Sequence, residues 1–324
     1  MAVYNPTGQQ NVHIDVILTN ISIGFPNTGL VGNLLFPQVP VAKQSNKYYV
    51  FGREGWYPED DIRAPGTEAN EIPGLQLSTD TYYAVEHALQ IPVTDEEREN
   101  SDAPMTPDRD GTELVTAKIL IGRELAMKNL VTTTANYAAG LSVTLAGGTQ
   151  WSDYVNSNPI SDIRVGKRAV NAQIFGDPNT IILPYQVMSV LEDHPDFIER
   201  IKYSERGIVT SEIVAGIIGI SNVIVPGAGL QNANPGQTSN LGYLWGKDVV
   251  LAWVPPNAGM KIPAFGYEFV WGYGGAMSMA TERWREDRRK SDVIRVGRRY
   301  DLKLTAVDAT GKELAGYIIK AAVA

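Results

Sequence analysis

Apolar and polar positions alternate differently along successive stretches of this chain, and each stretch predicts its own kind of element. Residues 1–45 are rich in Asn, Gln, Gly and Pro, with apolar islands at Leu34-Leu35-Phe36 and Val39-Pro40-Val41. They carry no sustained period of 2 or 3.6 and read as an extended arm. Two β-prone runs, Tyr48-Tyr49-Val50-Phe51 and Thr81-Tyr82-Tyr83-Ala84-Val85, flank a polar stretch holding Pro58, Pro65, Gly66, Pro73 and Gly74. That pattern predicts a long hairpin over about 46–95. Neither the arm nor the hairpin has a periodic apolar face with which to bury itself. Both are therefore expected to project from the body, make few contacts with their own chain and lie against a partner.

Pro107, with Asp108 and Asp110 behind it and then Leu114, Ala117, Ile121 and Leu125 at helical spacing, predicts a long amphipathic helix ending near Gly140. A second helix is expected from a cap at Ser161, through Ile163, Val170 and Ile174, to Gly176. A buried strand over 180–183 follows, then helices around Val187–Leu191, from Pro195 and from a cap at Ser211, and a short strand at 222–225. After a Gly, Asn, Gln and Pro loop at 226–242, strands are expected at 249–254, 268–271, 276–283, 292–296 and 317–320. The fold class is α+β with a strand-rich C-terminal part.

Composition narrows the function classes. A chain of 324 residues has room for about two compact units. Its 44% hydrophobic content and mean hydropathy of −0.14 are those of a globular protein. With no cysteine, disulfides, thiolate metal sites and cysteine nucleophiles are excluded. No apolar run reaches the roughly 18–20 residues of a membrane helix. The first 42 residues hold no Lys or Arg, so no secretory or transit signal is expected and synthesis in the cytoplasm is the default.

The net charge of −8 is opposite to that of a nucleic-acid coat. It is unevenly placed: residues 46–110 net −10, whereas 281–324 net +4. The bases concentrate in Arg283, Arg285, Arg288, Arg289, Lys290, Arg295, Arg298 and Arg299, interleaved with Glu286, Asp287 and Asp292.

Chemistry-bearing motifs are sparse. Gly227-Ala228-Gly229 lacks the third glycine and the following helix of a dinucleotide loop, and Gly246-Lys247 lacks the first glycine of a phosphate loop. His13, His87 and His194 are isolated, and His194 before Pro195 reads as a helix-start residue. The acids at Asp60-Asp61 and Asp95-Glu96-Glu97 lack calcium-loop spacing and read as a solvated face. No catalytic, cofactor-binding or metal-ligating residue is assigned.

The string Phe36-Pro37-Gln38-Val39-Pro40-Val41 running into Tyr48-Tyr49-Val50-Phe51, with Asp95-Glu96-Glu97-Arg98-Glu99-Asn100, resembles the N-terminal third of tailed-bacteriophage major capsid proteins. Pro178-Asn179-Thr180-Ile181-Ile182-Leu183, His194-Pro195 and Ile217-Ile218-Gly219-Ile220 resemble the central region of the same family. The resemblance implies the HK97-like fold: an N-terminal arm (1–45), an extended loop (46–106), a peripheral domain with a spine helix (107–176), an axial domain (177–265) and a C-terminal peripheral part (266–324).

It also implies a structural subunit, not an enzyme, that assembles with itself into hexamers and pentamers of an icosahedral head in the host cytoplasm. The head encloses weakly contacted double-stranded DNA. Portal and cement proteins are candidate partners. So is a separate scaffolding protein, because no charged helical segment precedes the arm. The alternatives are an encapsulin-like compartment shell and a soluble hydrolase without a recognisable site. Because relatives drape the extended loop over the adjacent subunit, Asp60 and Asp61 are expected to meet Arg283, Arg285, Arg288 and Arg289 of a neighbour.

Overall fold

The structure, a computed structural model, describes residues 29–324 apart from 52–55, 57, 73–76, 203–208, 235, 258–263 and 273–278. In chain order the elements begin with α1 (Gly32–Leu35), β1 (Gln38–Val41), β2 (Ser45–Phe51), β3 (Leu77–Tyr83), β4 (Val85–Thr94), α2 (Asp95–Glu99), α3 (Pro107–Thr132) and β5 (Ser142–Thr144). The middle of the chain supplies α4 (Pro159–Ile174), β6 (Thr180–Ile182), α5 (Tyr185–Glu192), α6 (Pro195–Ile201), α7 (Ser211–Ile218) and β7 (Asn222–Ile224). It ends with β8 (Gly229–Gln231), β9 (Leu241–Tyr243), β10 (Val249–Ala252), β11 (Gly266–Trp271), β12 (Ala280–Glu286), β13 (Ser291–Leu304) and β14 (Gly316–Lys320).

Helix α3 starts where expected, with Pro107 at its first position and Asp108 and Asp110 against the positive end of the helix dipole. It stops at Thr132 rather than near Gly140 because side chains take over its last carbonyls. Thr133 Oγ1 donates to the Asn129 carbonyl (2.6 Å), Asn136 Nδ2 to that of Leu130 (2.8 Å) and the Tyr137 hydroxyl to that of Val131 (2.8 Å). Its buried positions, among them Gly111, Val115, Ile119, Arg123, Met127 and Val131, recur every four residues and form one stripe.

That stripe lies on a five-stranded sheet ordered β1-β11-β13-β12, with β4 also paired to β13. A second five-stranded sheet, ordered β5-β14-β10-β6-β7, holds the fully buried strands β6 and β10 at the centre of the α/β unit. Strand β14 lies within it because Ile318 and Ile319 are completely buried and need cover on both faces. Residues 316–320 and 142–144 thus share a sheet with 180–182 and 249–252. The loop expected at 226–242 contains the antiparallel pair β8–β9. The strand expected at 276–283 runs from Ala280 to Glu286; residues 276–278 lie outside the described residues.

The arm and the hairpin need further correction. Residues 1–28 lie outside the described residues, but 29–41 belong to the body. Leu35 and Phe36 are completely buried, and β1 pairs in parallel with β11. Phe36 fits because Gly266 has no side chain; a Cβ there would stand 2.3 Å from the Phe36 ring.

The hairpin expected over 46–95 pairs only 45–51 with 77–83. Past the buried Ala84 the chain leaves it, and β4 runs antiparallel to β13 from Val85 opposite Tyr300 to Thr94 opposite Ser291. The hairpin base is also anchored: Tyr82 stacks on Phe269 with ring centroids 4.8 Å apart, and Tyr48 approaches the same ring at 5.2 Å. The expectation of few own-chain contacts fails there and holds for residues 58–72, all of which are exposed.

Candidate interaction surfaces

Arg283 and Arg285 stand on alternate positions of β12 opposite Ile294 and Asp292 of β13, so both point to one face of the sheet. On that face they meet acids brought by the turn after β4 and by the start of α3. Arg285 forks onto Asp95, with both N–O distances 2.6 Å, and Arg283 holds Asp292 at 2.5 Å. Arg98 reaches Asp108 at 2.7 Å and Asp292 at 2.9 Å. The bond from Arg285 holds the Asp95 carboxyl below the usual carboxylate range, and that from Arg283 does the same for Asp292.

The sequence singled out these arginines and missed their partners. Asp95 and Asp108 are distant in sequence, and only the β4–β13 pairing and the packing of α3 bring them to these arginines, while Asp292 lies across the β12–β13 turn.

The four arginines therefore divide. Arg283 and Arg285 have acid partners in their own chain. Among the described residues Arg289 pairs with Glu286 alone, at 3.5 Å, and Arg288, exposed on the short turn at 287–289, makes no ion pair. Asp60 and Asp61 are exposed and make no ion pair with the arginine stretch among the described residues. The Asp60 side chain accepts from the Ile62 amide at 3.1 Å instead.

The β8–β9 hairpin offers a second surface, without ionisable residues between Pro226 and Gly242. Gln231 Nε2 donates to Ser239 Oγ (2.7 Å) and Gln231 Oε1 accepts from the Asn240 amide (2.7 Å), which fixes the turn. Beside it Leu241 is 78% exposed.

Ser157, His194 and Asp196 meet beneath the α/β unit, a set of residue types shared with hydrolytic triads. Their hydrogen bonds run the wrong way for one. The Ser157 hydroxyl donates to the Asp153 carbonyl (2.7 Å) and lies 3.1 Å from His194 Nε2. His194 Nδ1 accepts from the Asp196 amide (3.2 Å), capping α6, so Nε2 carries the ring proton and donates to Ser157. This bears out the reading of His194 as a helix-start residue.

Burial holds the His194 pKa below the usual histidine value, against the opposing pull of the Asp196 carboxylate. With the folded pKa below the unfolded one, the stabilisation is complete above about pH 6.5 and is lost as pH falls through the folded value. His194→Asn keeps a capping acceptor that does not titrate. Its unfolding midpoint should fall less between pH 7 and pH 5 than that of the native chain; parallel profiles would refute this account.

Among the described residues no group of three or more metal-ligating side chains occurs, and no helix is long and apolar enough to cross a membrane.

No protein-family model matches the chain. It is 30% identical over 259 residues to the major capsid protein of Burkholderia phage BcepMu, covering 78% of this chain and 82% of that protein. A second major capsid protein, from Pseudomonas phage JBD67, is 29% identical over 72% of this chain and 74% of its own length. Among solved structures, a phage-related protein of Bordetella bronchiseptica RB50 superposes with a TM-score of 0.68 at 27% identity, over 95% of this chain and 97% of that one. The capsid of cyanophage P-SCSP1u gives a TM-score of 0.62 at 8% identity, over 98% and 96% of the two chains. The SrpI encapsulin of Synechococcus elongatus gives 0.50 at 11% identity, over 95% of both.

Proposed function

Because this chain belongs to the phage major capsid proteins and has their HK97-like fold, we propose that it assembles as hexamers and pentamers of an icosahedral head enclosing double-stranded DNA. Its role is that of a structural subunit of the capsid. The encapsulin reading is not favoured, since the curated relatives are named as capsid proteins.

In this reading the exposed tip of the β2–β3 hairpin is the extended loop. The sheet containing β13, together with α3, is the peripheral unit, and the sheet around β10 with α4–α7 is the axial unit. Assembly takes place in the host cytoplasm. Scaffolding, portal and cement proteins are further partners, and packaged DNA is held weakly, as suits a chain of net charge −8.

The observation that carries the proposed contact is the division among the charges. The acids at 59–71 and the bases at 288–290 are exposed and oppositely charged, while Arg283 and Arg285 are occupied within the subunit. Asp60 and Asp61 of one subunit then pair with Arg288 and Arg289 of its neighbour. Arg283 and Arg285 shape that surface without releasing their own acids.

Each exposed pair contributes about 0–1 kcal/mol, and repetition over a shell gives the sum its weight. Changing Arg288 and Arg289 to Glu should reduce particle yield, read by sedimentation and electron microscopy. Adding Asp60→Lys and Asp61→Lys should restore it. Failure of the second pair to rescue, with loss only of DNA packaging, would place these arginines against the genome.

The uncharged β8–β9 hairpin is placed at the capsomer axis, where identical copies converge. Amide side chains both donate and accept and so tolerate their own copies, whereas like charges repel. Changing Asn232, Asn234 and Gln237 together to Asp should leave the subunit folded and abolish capsomers; undiminished assembly would overturn the placement.

A further inference from the structure

The chain passes between its two five-stranded sheets three times, and the three crossings meet at one buried acid. They run from α3 to β5 (133–141), from β10 to β11 (253–265) and from β13 to β14 (305–315). Backbone bonds knot them together. The Glu313 amide donates to the Asn136 carbonyl (2.7 Å) and the Ala138 amide to that of Glu313 (3.1 Å), while the Trp253 amide donates to Ala315 (2.9 Å) and the Thr305 amide to Phe265 (3.3 Å). Glu313 stands within this knot and is completely buried. Its Oε1 accepts from the Ala315 amide at 2.9 Å, and its Oε2, also buried, has no hydrogen-bond partner among the described residues.

No cation answers this carboxyl among the described residues. On its own crossing, Lys312 turns its Nζ to the Ala135 carbonyl, and the Asp308 side chain accepts from the amides of Thr310 and Lys312 at 2.8 and 2.9 Å. The first crossing brings Tyr137, a buried phenol whose hydroxyl donates to the Val131 carbonyl and whose pKa is raised by burial. The described part of the second crossing holds Trp253 and Phe265 and no titratable group. Beyond the crossings the charge reaches Tyr48 of β2, another phenol kept neutral by burial, which donates to Asp80. A carboxylate at this place is an uncompensated buried charge. Burial accordingly lifts the Glu313 pKa well above the ordinary glutamate value, against the pull of the Ala315 and Leu314 amides.

We propose that the Glu313 carboxyl is a proton-held catch on the hinge between the two sheets: protonated, it lets the three crossings pack together, and deprotonated, it becomes a buried charge that drives them apart. Every chain connection between the sheets runs through this knot. Loosening it therefore frees the two units to shift against each other while each keeps its own core. The catch belongs to the single subunit and does not rest on how subunits associate. In the unfolded chain Glu313 ionises near the ordinary value of about pH 4.3, whereas the folded chain keeps the proton to higher pH. Between those two values the folded state holds the extra proton, so stability falls as pH rises through that window and levels off above the folded value.

Glu313→Gln keeps a neutral side chain that does not titrate and still accepts from Ala315. Across the window, the folding equilibrium constant of the native chain divided by that of the variant should fall close to tenfold per pH unit. A ratio that does not change with pH would overturn the proposal. Hydrogen exchange on the full native chain locates the effect: as pH rises, protection factors at the amides of Ala138, Trp253 and Glu313 should drop before that of Leu251 in β10. Equal losses at both places would make Glu313 a matter of overall stability and overturn the hinge role. Carbon-13 titration of the native carboxyls needs no variant. At about pH 6 the Glu313 resonance should stand at the neutral-acid position, and an ionised position would overturn the proposal even if Glu313→Gln fails to fold.

Discussion

Glu268→Ala is expected to destabilise the subunit by about 3–5 kcal/mol, a large part of the stability of an ordinary domain. The loss comes less from the missing attraction than from leaving Arg123 and Arg298 charged, buried and adjacent, with the forked N–H groups of Arg123 orphaned. Replacing the whole cluster with apolar side chains of similar length, Arg123→Met with Glu268→Leu and Arg298→Met, should recover most of that loss, because the desolvation cost disappears with the charges. Denaturant midpoints of the native, single and triple variants test this. A single variant within 1 kcal/mol of native would show that the cluster is far better hydrated than its burial implies.

Glu124→Ala is expected to be of similar size, about 3–5 kcal/mol, for a different reason. The buried Glu124 carboxylate accepts from the amides of Val31 and Gly32, both at 2.9 Å, and from Trp245 Nε1 at 2.8 Å. Alanine would strand three donors at about 1–3 kcal/mol each, offset in part by water entering. The contact is close enough that Gly32 tolerates no side chain: a Cβ there would meet Met127 Sδ at 2.2 Å and Glu124 Oε2 at 2.7 Å. Glu124→Gln should fall between, since its amide nitrogen cannot accept. Amide exchange at Val31 and Gly32 should rise in the alanine variant together with the loss of stability. Protected amides in a destabilised protein would mean that residues 29–36 are held by Leu35 and Phe36 alone.

The order of elements was legible because most are specified locally. Pro107, Asp108 and Asp110 announce a helix start wherever they occur, and His194 followed by Pro195 is a cap and first helical position in any context. The candidate surface was legible only in part. Exposure of 58–72 followed from their polarity, but the partners of Arg283 and Arg285 depended on which strands lie side by side. The resemblance to the capsid family reached further than the residue-by-residue reading, since it rests on the succession of elements over nearly the whole chain.

By itself the sequence determined the absence of sulfur chemistry, the separation of an acidic hairpin from a basic C-terminal stretch, and the order of most helices and strands, though α4 starts at Pro159 behind an Asn158 cap rather than at Ser161. These are properties of local spacing and composition, which no packing can alter. Only the tertiary structure decided that 29–41 join the body through the buried Leu35 and Phe36, that β4 leaves the hairpin for β13, that β14 enters the sheet of the α/β unit, and that two arginines share Glu268. Each of these depends on a partner far away in sequence. A strand with an apolar face can satisfy its backbone against any neighbour in register, and the choice falls to whichever arrangement buries the most apolar surface while leaving the fewest polar groups unpaired.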